Sequence, residues 1–262
     1  HASSKLALLR DDAHSPTAEG DCQACHVMAA GKPTPKVAKR APDLCLDCHD
    51  EMADLGSRAF PHGPAADGEC LECHDPHRGV EQPLLVKKQA ELCGSCHDEV
   101  ATDGKKPIVH RAFRDGACAS CHDPHGSANP ELTRSPNGAM CVKCHTGIGA
   151  KAAAAKGGHP PVAKLDCARC HEPHASETDR LLRRGQRDLC RSCHAGVEQK
   201  LAGLEVHPPF RWGQCVACHD PHQSERPGML RDDTAKVCAT CHNEPDLAAK
   251  ATVPHKPAQE GA

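Results

Sequence analysis

One five-residue motif, Cys-x-x-Cys-His, occurs ten times in this chain of 262 residues and constrains its fold more than any other feature. Two thiols at this spacing can form thioethers to the vinyl groups of one haem, and the next histidine can ligate the iron. The motifs use all twenty cysteines: Cys22 and Cys25, Cys45 and Cys48, Cys70 and Cys73, Cys93 and Cys96, Cys118 and Cys121, Cys141 and Cys144, Cys167 and Cys170, Cys190 and Cys193, Cys215 and Cys218, Cys238 and Cys241. The sequence therefore predicts ten covalently attached haems c, ligated by ten motif histidines: His26, His49, His74, His97, His122, His145, His171, His194, His219 and His242.

Zinc sites and disulfides also use paired cysteines, so both were alternatives for this pattern. Zinc ribbons and fingers contain Cys-x-x-Cys pairs, but zinc does not need a histidine directly after every second cysteine. A disulfide-rich secreted scaffold fits the number of cysteines, but it leaves the ten adjacent histidines without a role. Haem attachment accounts for the cysteines and the histidines together.

The chain has too few large apolar residues for an ordinary core. It contains three Phe, one Trp and no Tyr, against 22 Pro and 21 Gly. This composition alone predicts disorder, so we expect ten porphyrins to form the core and the chain not to fold without them. The predicted fold class is mostly irregular coil with short α-helices, in a haem-cored extended tandem repeat with little or no β-sheet. Short helices are expected at the attachment motifs, with a slightly longer helix over 151–156, where four alanines run together.

The net charge of the chain, −3, understates the acidity of a haem-loaded protein. Ionised propionates and ferric haems would bring the net charge to about −13, and to about −23 on reduction. Many of the 32 Lys and Arg are therefore expected to pair with propionates, and nucleic-acid binding is not expected. No stretch has the length and apolarity of a membrane span, and the first ten residues lack the form of a signal peptide, which favours a mature, processed protein.

The motifs form a tandem repeat. We call the first motif of each repeat odd and the second even. Odd motifs open at intervals of 48 or 49 residues, and so do even motifs. The repeats predict one continuous haem array over 1–262, with units at 14–61, 62–109, 110–158, 159–206 and 207–254 and fragments at 1–13 and 255–262.

Two further histidines recur at fixed positions in the repeat. The upstream histidine lies eight residues before each odd motif: His14, His62, His110, His159 and His207. The downstream histidine ends an Asp/Glu-Pro-His sequence directly after the odd motif and precedes a leucine-containing stretch: His77, His125, His174 and His222. The first repeat lacks a downstream histidine. The surroundings of His255 resemble those of His14, and the surroundings of His1 resemble those of His174, so the chain is expected to begin and end within a repeat.

This arrangement resembles the paired CXXCH, or doubled cytochrome c motif, family over nearly the whole chain. The resemblance implies closely spaced haems that transfer electrons. Members of this family include periplasmic decahaem subunits of outer-membrane conduits and surface cytochromes of extracellular electron transfer. Haem attachment in this class takes place outside the cytoplasmic membrane. The resemblance therefore implies an exported protein, extracellular or at the cell surface, or alternatively periplasmic.

Eleven histidines outside the motifs are available for the ten remaining iron positions. We expect bis-histidine, low-spin haems, with the upstream and downstream histidines and His255 as second ligands and His1 as the spare. Met28 is an alternative ligand that is disfavoured because it lies beside His26. We further expect each downstream histidine to serve the even haem of the preceding repeat, which assigns His77 to the motif at Cys45. Each upstream histidine would then serve the odd haem of its own repeat, with His255 on the last haem.

Two protein ligands on every iron favour electron transfer over catalysis, because a catalytic metal needs an open position. A reductase with one open terminal haem is the alternative. For the cellular role, a head-to-tail filament, a conduit subunit and a periplasmic shuttle stay open. Partial repeats at both ends favour the filament, a homo-oligomer. The expected partners are redox proteins or extracellular acceptors.

Overall fold

The structure is a computed structural model that describes residues 13–154 and 158–242. Its α-helices are Ser15–Glu19, Asp43–Leu46, Gly63–Ala66, Cys70–Cys73, Gln89–Gly94, Asp98–Asp103, Arg111–Arg114, Thr146–Ala154, Pro160–Ala163, Gln186–His194, Gly196–Lys200, Pro208–Arg211, Cys215–Cys218 and Thr234–Ala239. Its 3-10 helices are Cys22–Ala24, Asp50–Met52, Leu55–Ser57, Cys118–Ser120, Pro130–Leu132, Asn137–Ala139, Cys141–Lys143, Cys167–Arg169, Asp179–Leu181 and Pro227–Met229. Its strands are His26–Ala29 (β1), Lys32–Val37 (β2), Ile108–Val109 (β3) and Ala175–Ser176 (β4). The predicted irregular coil with short helices and little β-sheet is confirmed.

The helix predicted over 151–156 is observed as Thr146–Ala154, and residues 155–157 lie outside the described residues. A second nine-residue helix, Gln186–His194, contains an even motif and is longer than the short helices predicted at the attachment motifs.

The chain divides into two compact units, His1–Pro136 and Asn137–Ala262. In the described part of these units the buried apolar residues are Leu55, Leu85 and Ala175, and no large side chain is completely buried. The side chains therefore do not form an ordinary apolar core, as the composition predicts. No helix within residues 13–154 and 158–242 combines the length and the apolarity that a membrane span requires.

A short helix follows each upstream histidine and places that histidine at its N-cap. Proline occupies one of the first two helical positions in four of the five helices, where its missing amide hydrogen costs nothing. The chain then turns sharply through a residue with positive φ, such as Gly68 (77°) or Gly116 (71°), and enters the odd motif. Glycine adopts this conformation readily, so the helix and its terminating turn determine where the upstream histidine lies.

Each odd motif is followed by a loop of eleven residues that returns to the motif. The amide of Val86 donates a hydrogen bond of 3.0 Å to the carbonyl of Cys73, and the equivalent bonds are present in the other four repeats. In repeats two to five, a residue with left-handed φ lies near the end of the loop: Leu84, Leu132, Leu181 and Met229. The loop therefore has a common closure in all five repeats.

In repeat one, the loop contains an antiparallel hairpin of β1 and β2. Met28 pairs with Pro33, and Ala29 pairs with Lys32. Ala30 and Gly31 both have positive φ, which is the backbone conformation of a two-residue type I′ turn. This hairpin was not predicted from the sequence, because β2 contains two prolines and shows no alternating apolar pattern.

Candidate haem-binding sites

The histidines lie in facing pairs. Seven pairs of imidazole rings have centroids between 5.9 and 6.3 Å apart. In six pairs the ring planes are within 23° of parallel, and in the seventh, His207–His242, they are tilted by 37°. Each pair joins one motif histidine to one upstream or downstream histidine: His14–His49, His26–His77, His62–His97, His74–His125, His159–His194, His171–His222 and His207–His242.

This spacing fits an iron held between two imidazoles. A metal bound at about 2 Å from a nitrogen of each of two opposed imidazoles separates the ring centroids by about 6 Å. One histidine of each pair directly follows two cysteines that can carry the porphyrin. The paired rings and the cysteines beside them therefore fit a covalently attached haem. In the described ranges, no group of three or more His, Cys, Asp or Glu residues is arranged to hold a bare metal ion.

The predicted assignment of second histidines is wrong. His77 faces His26, the odd motif histidine of the preceding repeat, and does not face His49. His14 instead faces His49, the even motif histidine of its own repeat. The same exchange recurs at His62, which faces His97. Downstream histidines thus face the odd motif of the preceding repeat, and upstream histidines face the even motif of their own repeat.

Backbone pairing between consecutive repeats explains this exchange. The residue before His14 forms an antiparallel bridge with Arg78, and the amide of His14 donates a 3.1 Å hydrogen bond to the carbonyl of His77. Equivalent bridges join Phe60 to Ser127 and Gly158 to Gln223. An upstream histidine and the downstream histidine of the next repeat are therefore neighbours in space that serve different sites.

The last two motifs differ from the prediction as well. His207 faces His242, the motif histidine of the last motif. The prediction that His255 ligates the haem of that motif is therefore wrong. Among residues 13–154 and 158–242, no imidazole faces His219. His1 and His255 lie outside the described residues. Met28 lies in β1, and the ring that faces His26 belongs to His77.

Four further predicted site histidines belong to repeats three and four. His110 is the N-cap of the helix Arg111–Arg114, and His122 follows the 3-10 helix Cys118–Ser120. His145 precedes the helix Thr146–Ala154, and His174 precedes β4. They thus occupy the same positions in their repeats as the upstream, motif and downstream histidines described above.

The cysteines place consecutive motifs side by side. Burial raises the pKa of the Cys45 thiol, and the thiol of Cys70 lies close enough to raise it further. The thiol of Cys118 likewise lies close enough to that of Cys93 to raise its pKa. These thiols stand for the thioether sulfurs of the haem-loaded protein. An equivalent contact with Cys215, together with burial, raises the pKa of the Cys190 thiol to about 11, with burial the larger cause. Each of these contacts joins the first cysteine of an even motif to the first cysteine of the next odd motif.

Backbone carbonyls orient four of the odd motif histidines. The Nδ1 atom of His74 lies 2.9 Å from the carbonyl oxygen of Pro83, nine residues later. The same bond recurs from His122 to Glu131 (2.7 Å), from His171 to Arg180 (2.9 Å) and from His219 to Gly228 (2.7 Å). When Nδ1–H donates to a carbonyl, Nε2 is left free to bind a metal. In the even motifs, Nδ1 of His97 donates to the Glu99 carboxylate at 3.1 Å.

A family model described as the doubled CXXCH motif matches the chain five times, at residues 14–54, 62–102, 110–150, 159–199 and 207–247, which is well over half of its length. The chain belongs to the doubled CXXCH family. This doubled CXXCH protein is therefore a multihaem c-type cytochrome that binds haem c covalently and transfers electrons. No curated protein matches the chain.

Burial favours neutral imidazoles at two histidines of this doubled CXXCH protein. Desolvation lowers the pKa of His125, and the nearby His74 lowers it further. Desolvation also lowers the pKa of His159, with His194 adding to the effect. A neutral imidazole is the form that binds a metal. The protein environment therefore favours the ligand form of these side chains.

The four carbonyl groups that orient the motif histidines were not predicted from the sequence. They belong to different residue types, because the backbone makes the contact. The signal that could have located them is the leucine-containing stretch at a constant distance from each odd motif. In the structure its first residue, such as Leu84 or Leu132, has left-handed φ and directly follows the carbonyl.

Proposed function

We propose that this protein conducts electrons along a chain of ten low-spin, bis-histidine haems c, as part of extracellular electron transfer. The observation that carries the proposal is the set of facing imidazole pairs, each spaced for one iron and joined to an attachment motif. The proposed second ligands are His14, His62, His77, His110, His125, His159, His174, His207, His222 and His255, opposite the ten motif histidines.

Histidines on both sides of an iron suit electron transfer. Bound haem supplies a reversible one-electron couple, and two imidazole ligands without methionine favour a low potential. The helix N-caps hold the upstream histidines, and the loop closures hold the motif histidines, so the protein keeps the ligands in place when the charge of the iron changes. With both positions occupied, no site is open for a substrate, which supports a role without catalysis.

The contacts between cysteines support a linear order of haems within each unit. The first cysteine of an even motif touches the first cysteine of the next odd motif. Consecutive haems in the sequence would therefore be neighbours in space. A tandem array in which each repeat contacts mainly its neighbours is quasi-one-dimensional, and such an order suits conduction along the chain.

The number and spin state of the haems test the proposal. Pyridine haemochrome analysis of the purified holoprotein should give ten haems per chain, and the EPR spectrum should contain low-spin ferric signals. Reduction by dithionite should reach all ten haems and reverse on addition of an oxidant. Far fewer than ten haems, or a mainly high-spin spectrum, would contradict the proposal.

A reductase with one open terminal haem is the second candidate function, and it would differ from the first at the haem of Cys215 and Cys218, where His255 is the proposed ligand opposite His219. If His255 does not ligate the haem at Cys215 and Cys218, that haem would have an open position, as in a multihaem reductase. The substitution His255→Ala separates the two candidates. Conversion of one low-spin haem to high-spin would support His255 as the ligand, whereas a high-spin haem already present in the wild type would support the reductase.

The proposed cellular role is extracellular electron transfer. Covalent attachment of haem c supports an exported protein, at the cell exterior or, alternatively, in the periplasm. The expectation of a head-to-tail filament stays a prediction, as do its alternatives, a conduit subunit and a periplasmic shuttle. Electron microscopy of the native protein tests it, because discrete particles at every concentration would argue against a filament.

A further inference from the structure

We propose that the haem attached through Cys22 and Cys25 has a higher reduction potential than the odd-motif haem at Cys70, because His26 lacks the hydrogen bond that orients His74. The inference rests on the proposed bis-histidine haem chain and deepens it. An electron shared between these two haems would then reside mainly on the haem at Cys22 and Cys25.

The hydrogen bond in question is made by the other four odd motif histidines. Their Nδ1 atoms lie 2.7 to 2.9 Å from a backbone carbonyl nine residues later. Donation from Nδ1–H makes the imidazole a stronger electron donor through its other nitrogen. A stronger axial donor stabilises ferric iron relative to ferrous iron and so lowers the reduction potential of the haem. Hydrogen bonds to the axial ligands are one of the ways in which a protein sets that potential.

His26 has no equivalent bond. Its Nδ1 atom is buried, and it has no hydrogen-bond partner among the residues that the structure describes. The residue nine positions later is Pro35, which belongs to β2. The imidazole of His26 therefore donates less electron density to an iron than that of His74.

The loop after the first motif explains the missing bond. It has the same length and the same closure as the other loops, because the amide of Ala38 donates to the carbonyl of Cys25 at 2.9 Å. The first backbone pairing is also the same, with His26 opposite Val37 as His74 is opposite Leu85. Between these points the paths differ.

In repeat two, Leu84 has a φ of 58° directly after the accepting carbonyl. In repeat one, the left-handed residues are Ala30 and Gly31, at the tip of the hairpin. The turn that brings a carbonyl to the histidine in repeat two thus has no counterpart at the same position in repeat one. The difference is encoded in the sequence of residues 27–37.

The histidines on the opposite sides of these two haems, His77 and His125, differ less in the surroundings of their Nδ1 atoms. His77, which faces His26, has its Nδ1 atom 3.7 Å from the Asp75 carboxylate. His125, which faces His74, has its Nδ1 atom 4.0 Å from Asp123. Both contacts exceed hydrogen-bond distance and differ by a few tenths of an ångström. The bond on the motif histidine is thus the larger difference between the two axial environments.

Two variants of the full-length holoprotein, each without one haem, test the inference. One carries Cys22→Ser and Cys25→Ser, and the matched variant carries Cys70→Ser and Cys73→Ser. Spectroelectrochemical titration of each variant, subtracted from that of the wild type, gives the contribution of the missing haem. The contribution lost from the first variant should titrate at higher potential. An equal or lower potential would overturn the inference.

A loop exchange tests the cause and does not require removal of a haem. Residues 27–37 are replaced by the equal-length segment 75–85, with alanine retained at position 29 so that no new ligand is introduced. One of the ten components should shift to lower potential. The exchange makes this segment more negative by three charges, so the control Lys32→Glu with Lys36→Leu makes the same change at two exposed side chains of the hairpin without rerouting the backbone, and it should produce a smaller shift. An equal shift in the control, or none in the exchange, would overturn the inference.

Failure of this inference can be distinguished from failure of the proposed function. The haem count and the low-spin spectrum of the wild type test the haem chain itself. The order of the two potentials tests only the hydrogen bond to the motif histidine. A low-spin decahaem protein with the opposite order would retain the proposed function and refute the inference.

Discussion

The observed pairing of histidines predicts which haem is affected by the loss of each histidine. His77 faces His26 at a centroid distance of 5.9 Å. The substitution His77→Ala removes that ring and should leave one position of one iron open. With ten attachment motifs in the chain, the structure predicts that one haem in ten becomes high-spin and binds one equivalent of carbon monoxide per chain when reduced.

The identity of the affected haem is the decisive result. If His77 serves the haem at Cys22 and Cys25, the substitution should add no high-spin signal when both cysteines are already serine. In a chain with Cys45→Ser and Cys48→Ser, it should add the full signal. High-spin EPR intensity and carbon monoxide titration of the four proteins measure the difference.

A matched substitution controls for general damage. His14→Ala removes the ring that faces His49, so its effect should depend on the Cys45 and Cys48 pair and not on the Cys22 and Cys25 pair. The reverse dependence of the two substitutions would refute the assignment of histidines drawn from the structure. Loss of several haems from either variant would refute the expectation that one histidine serves one iron.

Three further predictions concern stability. The buried Ser176 hydroxyl donates to the Leu182 carbonyl and accepts from the amide of Thr178. Ser176→Ala should therefore lower the free energy of unfolding of the holoprotein by about 1–3 kcal/mol in chemical denaturation. A loss of less than about 0.5 kcal/mol would contradict this expectation. Gly138→Ala should lower the thermal midpoint, because the new Cβ would lie 2.4 Å from Sγ of Cys167 and from a backbone oxygen, whereas the control Gly147→Ala has no neighbour within 4 Å and should not lower it. Expression without haem attachment should yield a chain whose far-UV circular dichroism shows little helix, and a folded apoprotein would contradict the view that haem supplies the core.

The sequence was sufficient for the chemistry of the sites and for the period of the repeat. Each attachment motif is local, because five consecutive residues determine it. The short helices are also largely local, because proline at the start and glycine at the end determine their limits, as at Gly63–Ala66 and Gly68. The scarcity of aromatic residues correctly predicted the lack of a side-chain core.

The assignment of histidines was not local and could not be derived from spacing. The upstream and downstream histidines recur with the same period. The period alone is therefore compatible with an upstream histidine that faces the odd motif histidine and with one that faces the even motif histidine. The choice depends on the antiparallel bridge between Ala13 and Arg78, which lie 65 positions apart in the sequence. The hairpin of repeat one was missed for a related reason. Its turn, Ala30-Gly31, gives only a weak sequence signal.

The observed exchange implies that a single repeat is not a complete structural unit. The even site of the first repeat is assembled from His14 and His49, both within that repeat. The odd site takes His26 from the first repeat and His77 from the second. A repeat in isolation would therefore present both histidines of its even site and only one histidine of its odd site.

Because the two facing histidines of the first odd site come from two repeats, haem bound between them would stabilise the contact between those repeats as well as each repeat itself. Two neighbouring repeats also share the backbone hydrogen bond between His14 and His77. Their histidines thus connect two adjacent haems through one short piece of paired backbone. In such an array stability is a sum of terms intrinsic to each repeat and terms that couple neighbours. The stretch Asp75-Pro76-His77 supplies contacts of the second kind between the first two repeats.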